Sequence, residues 1–108
     1  MAMYLVKFGY TAETWRRLLA NPEDRGEAIR PIIEAAGGKL HGFWYAFGDD
    51  DGYGLFELPN DVAVAGICVK TVSSGAFSKF STTKLLTVEE ALEAFRQGGG
   101  IQYRAPGA

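Results

Sequence analysis

Apolar side chains recur at alternate positions over residues 3–10, which predicts an opening strand with Tyr4, Val6, Phe8 and Tyr10 on one face and Met3, Leu5, Lys7 and Gly9 on the other. The stretch from Gly37 to Leu58 predicts two more strands, 39–47 and 53–58, joined by a Gly- and Asp-rich turn at 48–52. A fourth covers 76–86, anchored by Phe77, Phe80, Leu85 and Leu86. Between them the period changes to that of a helix. Thr11 caps a short helix to Ala20, with Trp15, Leu18 and Leu19 along one side. Asn21-Pro22 starts a second helix through Ala36, whose Ile29, Ile32, Ile33 and Ala36 are spaced to pack on a sheet, and Gly37-Gly38 ends it. Pro31 inside it removes a backbone donor and crowds the carbonyl of Glu27, so a bend or a late start is expected. Residues 62–74, capped from the Asn60-Asp61 side, form a helix that is apolar around most of its circumference, and such a helix is expected to be buried. Thr87 with Glu90 is a capping box that opens a last helix to Gln97, with Val88, Ala91, Leu92 and Phe95 as its inner stripe.

The order is strand, helix, strand, strand, helix, strand, helix. It predicts an α+β fold of the ferredoxin-like βαββαβ kind: a four-stranded antiparallel sheet, helices on one face and an extra C-terminal helix. Residues 1–97 make one domain, and Gly98-Gly99-Gly100 releases a Gly-rich, flexible tail over 98–108, where Ile101 and Tyr103 can dock on a neighbour. One strand breaks the alternation. Phe43, Trp44, Tyr45 and Phe47 load both of its faces, whereas an antiparallel sheet with one wet face is apolar on one side only. The chain supplies helices for a single face, so the other cover is expected from a second copy, giving a homodimer or higher oligomer.

Composition narrows the classes further. A chain of 108 residues with 47% apolar and 22% charged residues holds one core and is neither disordered nor fibrous. A net charge of −2, with eleven scattered Lys and Arg, speaks against nucleic acid as a partner. The single cysteine, Cys68, rules out an internal disulfide and a multi-Cys zinc site. No apolar run approaches the ~20 residues of a membrane span, and the amino terminus lacks the charged-then-apolar layout of a signal peptide. A cytoplasmic location without a membrane partner is expected.

The stretches VKFGYTAETWRRLLANPEDR, GGKLHGFWYAFGDDDGYGLFELP and STTKLLTVEEALEAFR, which together span nearly the whole chain, resemble the GYD domain family of small bacterial proteins. The resemblance implies a ferredoxin-like fold that pairs sheet to sheet as a dimeric α/β barrel, in a family without an agreed biochemical function. The Gly-x-Tyr-Asp turn that names the family lines up with Gly48, Asp50 and Asp51, so Asp50 stands where the tyrosine is expected and Tyr53 lies just across the turn.

By parity, Lys7, His41, Phe43, Tyr45 and Glu57 share one sheet face, and the polar members would be costly beneath helices. Facing a partner's sheet, they would line an aromatic-walled cavity for a small aromatic or apolar molecule. A second reading is a cofactor-independent enzyme in which His41 and Tyr45 do acid–base work and Lys7 stabilises an anion. A third is a structural partner in a larger assembly. No cofactor and no metal are expected: a lone imidazole is a poor metal site, and Asp49-Asp50-Asp51 lacks the spacing and closing Glu of a calcium loop, so it reads as a solvated turn. Cys68, between Ile67 and Val69, reads as a small apolar group. The glycine clusters end helices rather than opening them and do not form a phosphate loop. Trp15 and Trp44 read as core or interface. Lys79 and Lys84, among Ser78, Ser81, Thr82 and Thr83, read as protection for an edge strand.

Overall fold

In the computed structural model, which describes residues 1–108, β1 (Ala2–Tyr10) and β3 (Gly52–Leu58) are the inner strands of one antiparallel sheet. The edges are β2 (Lys39–Tyr45) and β4 (Phe77–Leu85), giving the spatial order β2-β3-β1-β4. That is the ferredoxin-like arrangement the element order predicts. Along β1 the two faces separate cleanly: Tyr4, Val6, Phe8 and Tyr10 are buried, and with Phe56 and Leu58 of β3 they form the floor of the core. Ile33 of α2 (Arg25–Ala35) and Val64 of α3 (Asp61–Val72) complete it from above, and Trp15 and Leu18 of α1 (Ala12–Ala20) pack at its border. Burying each such side chain contributes about 1.5–3 kcal/mol.

Every helix begins on a side-chain cap. Thr11, Asp24, Asn60 and Thr87 each accept a hydrogen bond from a backbone N–H of the first turn, worth about 1 kcal/mol apiece. Asp24 explains the late start of α2, which opens at Arg25 and continues without a break through Pro31. At its other end Gly37 adopts φ +88°, and the N–H of Gly38 bonds back to the Ile33 carbonyl at 2.9 Å. A Cβ at Gly38 would lie 2.1 Å from the Glu57 carbonyl oxygen, so only glycine lets β2 begin this close to β3.

The expected burial of α3 is corrected. Only Val64 is buried in this helix, with Ile67 and Cys68 partly so, while Val62, Val69 and Val72 point outward. A helix can press one stripe onto a sheet, and nothing in this chain covers the opposite side. Its N-terminal end is tied down by polar groups instead: the Tyr4 hydroxyl donates to Asp61, which also pairs with Lys84 of β4 at 3.0 Å. The Tyr4 hydrogen bond and then Lys84 hold the Asp61 carboxyl below its ordinary pKa. The last helix, α4 (Val88–Gly99), buries no residue, and residues 101–108 beyond it belong to neither helix nor strand. No helix is long and apolar enough to cross a membrane.

Candidate functional site

The site is created by one extra residue. Leu40 of β2 stands opposite Phe56 and Gly42 opposite Leu55, so His41-Gly42 face a single residue of β3 in a β-bulge. Before the bulge, even-numbered residues of β2 face the helices, as buried Leu40 does. After it, Phe43 lies opposite Gly54 and Tyr45 opposite Gly52, and the odd-numbered residues face the helices. Gly52 leaves room for the Phe8 ring beside them: a Cβ there would be 2.3 Å from it.

The expectation that Lys7, His41, Phe43, Tyr45 and Glu57 share a face is therefore corrected. Lys7, His41 and Glu57 occupy the open face, while Phe43 and Tyr45 are on the helix side of the sheet. On the open face His41 Nε2 lies 3.4 Å from Glu57 Oε1. Lys7 stands opposite Tyr53, four residues before Glu57 on the same strand, which places it roughly 13 Å away at the rise of an extended chain. Trp44 also faces outward, its indole lying over Gly42, and is 52% exposed. Within one chain, then, the imidazole of His41, the phenol of Tyr45 and the ammonium of Lys7 do not converge.

On the helix side the aromatics form a continuous cluster. Phe43 stacks near Phe8 and Tyr45, with ring centroids 5.4 Å apart in each pair, and Tyr10 and Tyr45 both lean on Trp15, at 5.0 and 6.0 Å. The Tyr10 and Tyr45 hydroxyls are 3.5 Å apart. Burial first, and the hydrogen bond to Tyr45 second, push the Tyr10 hydroxyl above its ordinary pKa, so it stays a neutral phenol.

Where this cluster reaches α2 it opens into a cleft of about 490 Å³, lined by the Phe43 and Tyr45 rings, the guanidinium groups of Arg25 and Arg30 and the carboxylates of Glu23, Asp24 and Glu27. Gly26 has no side chain to fill it, and Phe43 comes close to its backbone. Arg25 pairs with Glu23 at 3.0 Å and Arg30 with Glu27 at 3.2 Å, and Arg30 also donates to the Leu40 carbonyl at 3.4 Å. Two guanidinium groups are thus held at the rim of a cavity with aromatic walls. Such an arrangement can take a flat ring against Phe43 and Tyr45, and an attached carboxylate meets an arginine by displacing Glu23 or Glu27 from it.

Two features escaped the sequence reading. The arginines were hidden because the bulge that brings Phe43 and Tyr45 beneath α2 leaves no mark in the apolar run. The acidic turn is also more than a solvated loop. Asp51 accepts the Tyr10 N–H at 2.9 Å, just past the Phe8–Gly52 end of the β1–β3 ladder, and its own N–H bonds to the Phe8 carbonyl at 2.8 Å. Asp50 pairs with Lys79 at 3.5 Å. These bonds pin the turn to the end of β1, and a carboxylate directly before a strand was the available signal.

A family model described as GYD domain matches residues 4–95. Among solved structures, FFRP-DM1 aligns over 80% of this chain and 100% of its own, with a TM-score of 0.50 and 14% identity, a likeness of fold. The Arabidopsis thaliana protein At3g17210 aligns over 82% of this chain and 96% of its own, with a TM-score of 0.46 and 13% identity. No curated protein matches.

Proposed function

The chain belongs to the GYD domain family, and on that premise we propose that it is a homo-oligomeric module that binds a small aromatic carboxylate in the cleft between α2 and β2. One observation carries the reading: the bulge at His41-Gly42 turns Phe43 and Tyr45 under α2, where Arg25 and Arg30 stand at the rim. The aromatic-walled cavity expected from the sequence is kept, but its place moves from the sheet–partner interface to the helix side. His41, Glu57 and Lys7 are left to the open face, which a second copy covers. Half-buried Met3, Leu5 and Leu55 and exposed Trp44 make that face apolar enough to pair. A cytoplasmic setting suits the single free thiol of Cys68.

Calorimetric titration with phenylacetate and with indole-3-acetate tests this. The expected result is saturable binding that weakens about tenfold or more, some 1.4 kcal/mol, in Tyr45→Ala and in Arg25→Ala, and is unaltered in His41→Ala. Binding of neither probe at millimolar concentration, or equal binding by Tyr45→Ala, defeats the assignment. A loss in His41→Ala alone would return the ligand to the open face.

A further inference from the structure

The cleft between α2 and β2 carries more charge than an aromatic carboxylate uses. Three carboxylates line it, Glu23, Asp24 and Glu27, against the two guanidinium groups of Arg25 and Arg30, so it holds one negative charge in excess. Arg25 is matched by Glu23 at 3.0 Å and Arg30 by Glu27 at 3.2 Å. Asp24 is the carboxylate left over. One of its oxygens caps α2, accepting the Glu27 N–H at 3.0 Å, and no cation of the chain pairs with it. It also stands against the aromatic wall: a Cβ placed on Gly26 would lie 3.2 Å from both Asp24 Oδ1 and Phe43 Cβ. An unpaired carboxylate beside aromatic rings is a seat for an ammonium group, which both attract.

The two arginines are not equivalent. Arg30 is held by Glu27 and by the Leu40 carbonyl, toward the start of β2. Arg25 lies close enough to the Tyr10 hydroxyl for its charge to oppose the rise in that phenol's pKa, which burial and then the Tyr45 hydrogen bond produce. Arg25 also follows Asp24 directly in sequence, with Cα atoms about 3.8 Å apart, so a positive and a negative group adjoin beside the same aromatic walls. A ligand that brings only a carboxylate takes Arg25 from Glu23 and leaves Glu23 unpaired next to Asp24. The cleft then holds a second unbalanced negative charge, a repulsion that costs affinity. A ligand that brings an ammonium as well leaves the balance as it was.

We propose that the occupant of this cleft is a free aromatic amino acid, its ring against Phe43 and Tyr45, its carboxylate on Arg25 in place of Glu23 and its ammonium on Asp24. This rests on the ligand-binding reading of the cleft and narrows it from aromatic carboxylates to zwitterions. Both charges of such a head group sit on one carbon, which matches cation and anion sites carried by consecutive residues. A cavity of about 490 Å³ is of the size that small-molecule sites have.

Calorimetric titration of the full chain with phenylalanine, 3-phenylpropionate and phenethylamine tests it, since the second lacks only the amine and the third only the carboxylate. Phenylalanine should bind about tenfold or more tighter than either. Asp24→Asn keeps a good helix cap while removing the charge, and should bring phenylalanine down to the affinity of 3-phenylpropionate without weakening the latter. Three results overturn the proposal and leave the aromatic-carboxylate reading standing: 3-phenylpropionate binding as tightly as phenylalanine, phenylalanine affinity unaltered in Asp24→Asn, or an equal loss of both ligands in that variant. Phenethylamine binding as tightly as phenylalanine overturns both, because the carboxylate is then not recognised. So does binding of none of the three at millimolar concentration.

Discussion

The two edges of the sheet start from similar sequence and end differently. Strand β2 carries Leu40, Phe43 and Tyr45 toward α2 and encloses them in a core border and a cleft, whereas β4 has Phe77 and Phe80 half-buried at one end and Thr82 and Lys84 exposed at the other. Both strands contain aromatics, and neither keeps a clean alternation. The difference lies in what sits above them. Helix α2 lies over β2, while the helix that follows β4 departs from the sheet. The edge that α2 roofs closes into a cleft, and the edge that α3 only borders, through Cys68 on Thr82 and Asp61 on Lys84, stays open.

The largest expected effect tests the core that both edges lean on. Phe8, 2% exposed, touches the rings of Tyr10, Phe43, Tyr45 and Phe77, so Phe8→Ala should cost about 3–5 kcal/mol in denaturant unfolding, well above its cross-strand neighbour Phe80→Ala at the bare edge. Equal costs would mean that the β4 edge is covered in solution.

A smaller effect separates the two faces of β2. Phe43→Ala removes a partly buried ring and should cost about 2–3 kcal/mol, whereas Trp44→Ala, on the open face, should cost under about 1 kcal/mol in the dilute chain. If the Trp44 cost grows with protein concentration, a second copy covers that face, as the homo-oligomeric reading requires. If it stays small at every concentration, the open face is not the interface.

The smallest effect concerns pH. Because the folded chain holds the Tyr10 phenol above its ordinary value of 10.0, the associated stability is complete below that pH and is lost as pH rises through the folded-state value. Tyr10→Phe should therefore flatten the loss of stability that sets in as pH rises above 10.0, at the cost of the contact to Tyr45. An alkaline limb as steep as that of the parent would place the proton release elsewhere.

Much of the fold was legible because it depends on local periods. The alternation of β1 and the capping box at Thr87 each record a choice made within a few residues, and the structure contains both; of the Ile stripe of α2, Ile29, Ile33 and Ala36 pack on the core while Ile32 is 54% exposed. The burial of α3 was not legible, since an apolar circumference states a need for cover without saying that cover is present. Within the site, Phe43 and Tyr45 were recognised, but the face they occupy was not. In the run Phe43-Trp44-Tyr45 every residue is aromatic, so either parity satisfies the pattern.

By itself, then, the sequence determined the elements, their order and hence the ferredoxin-like sheet, because hydrogen-bond periods and caps are short-range. Only the tertiary structure decided which way β2 turns after Leu40. The extra residue at His41-Gly42 is defined by what lies across the ladder, where Gly52 and Gly54 have no side chains: the Phe8 ring lies over Gly52 and the Phe43 ring reaches Gly54. Those glycines belong to a neighbouring strand, so their effect on β2 appears only once the strands are paired.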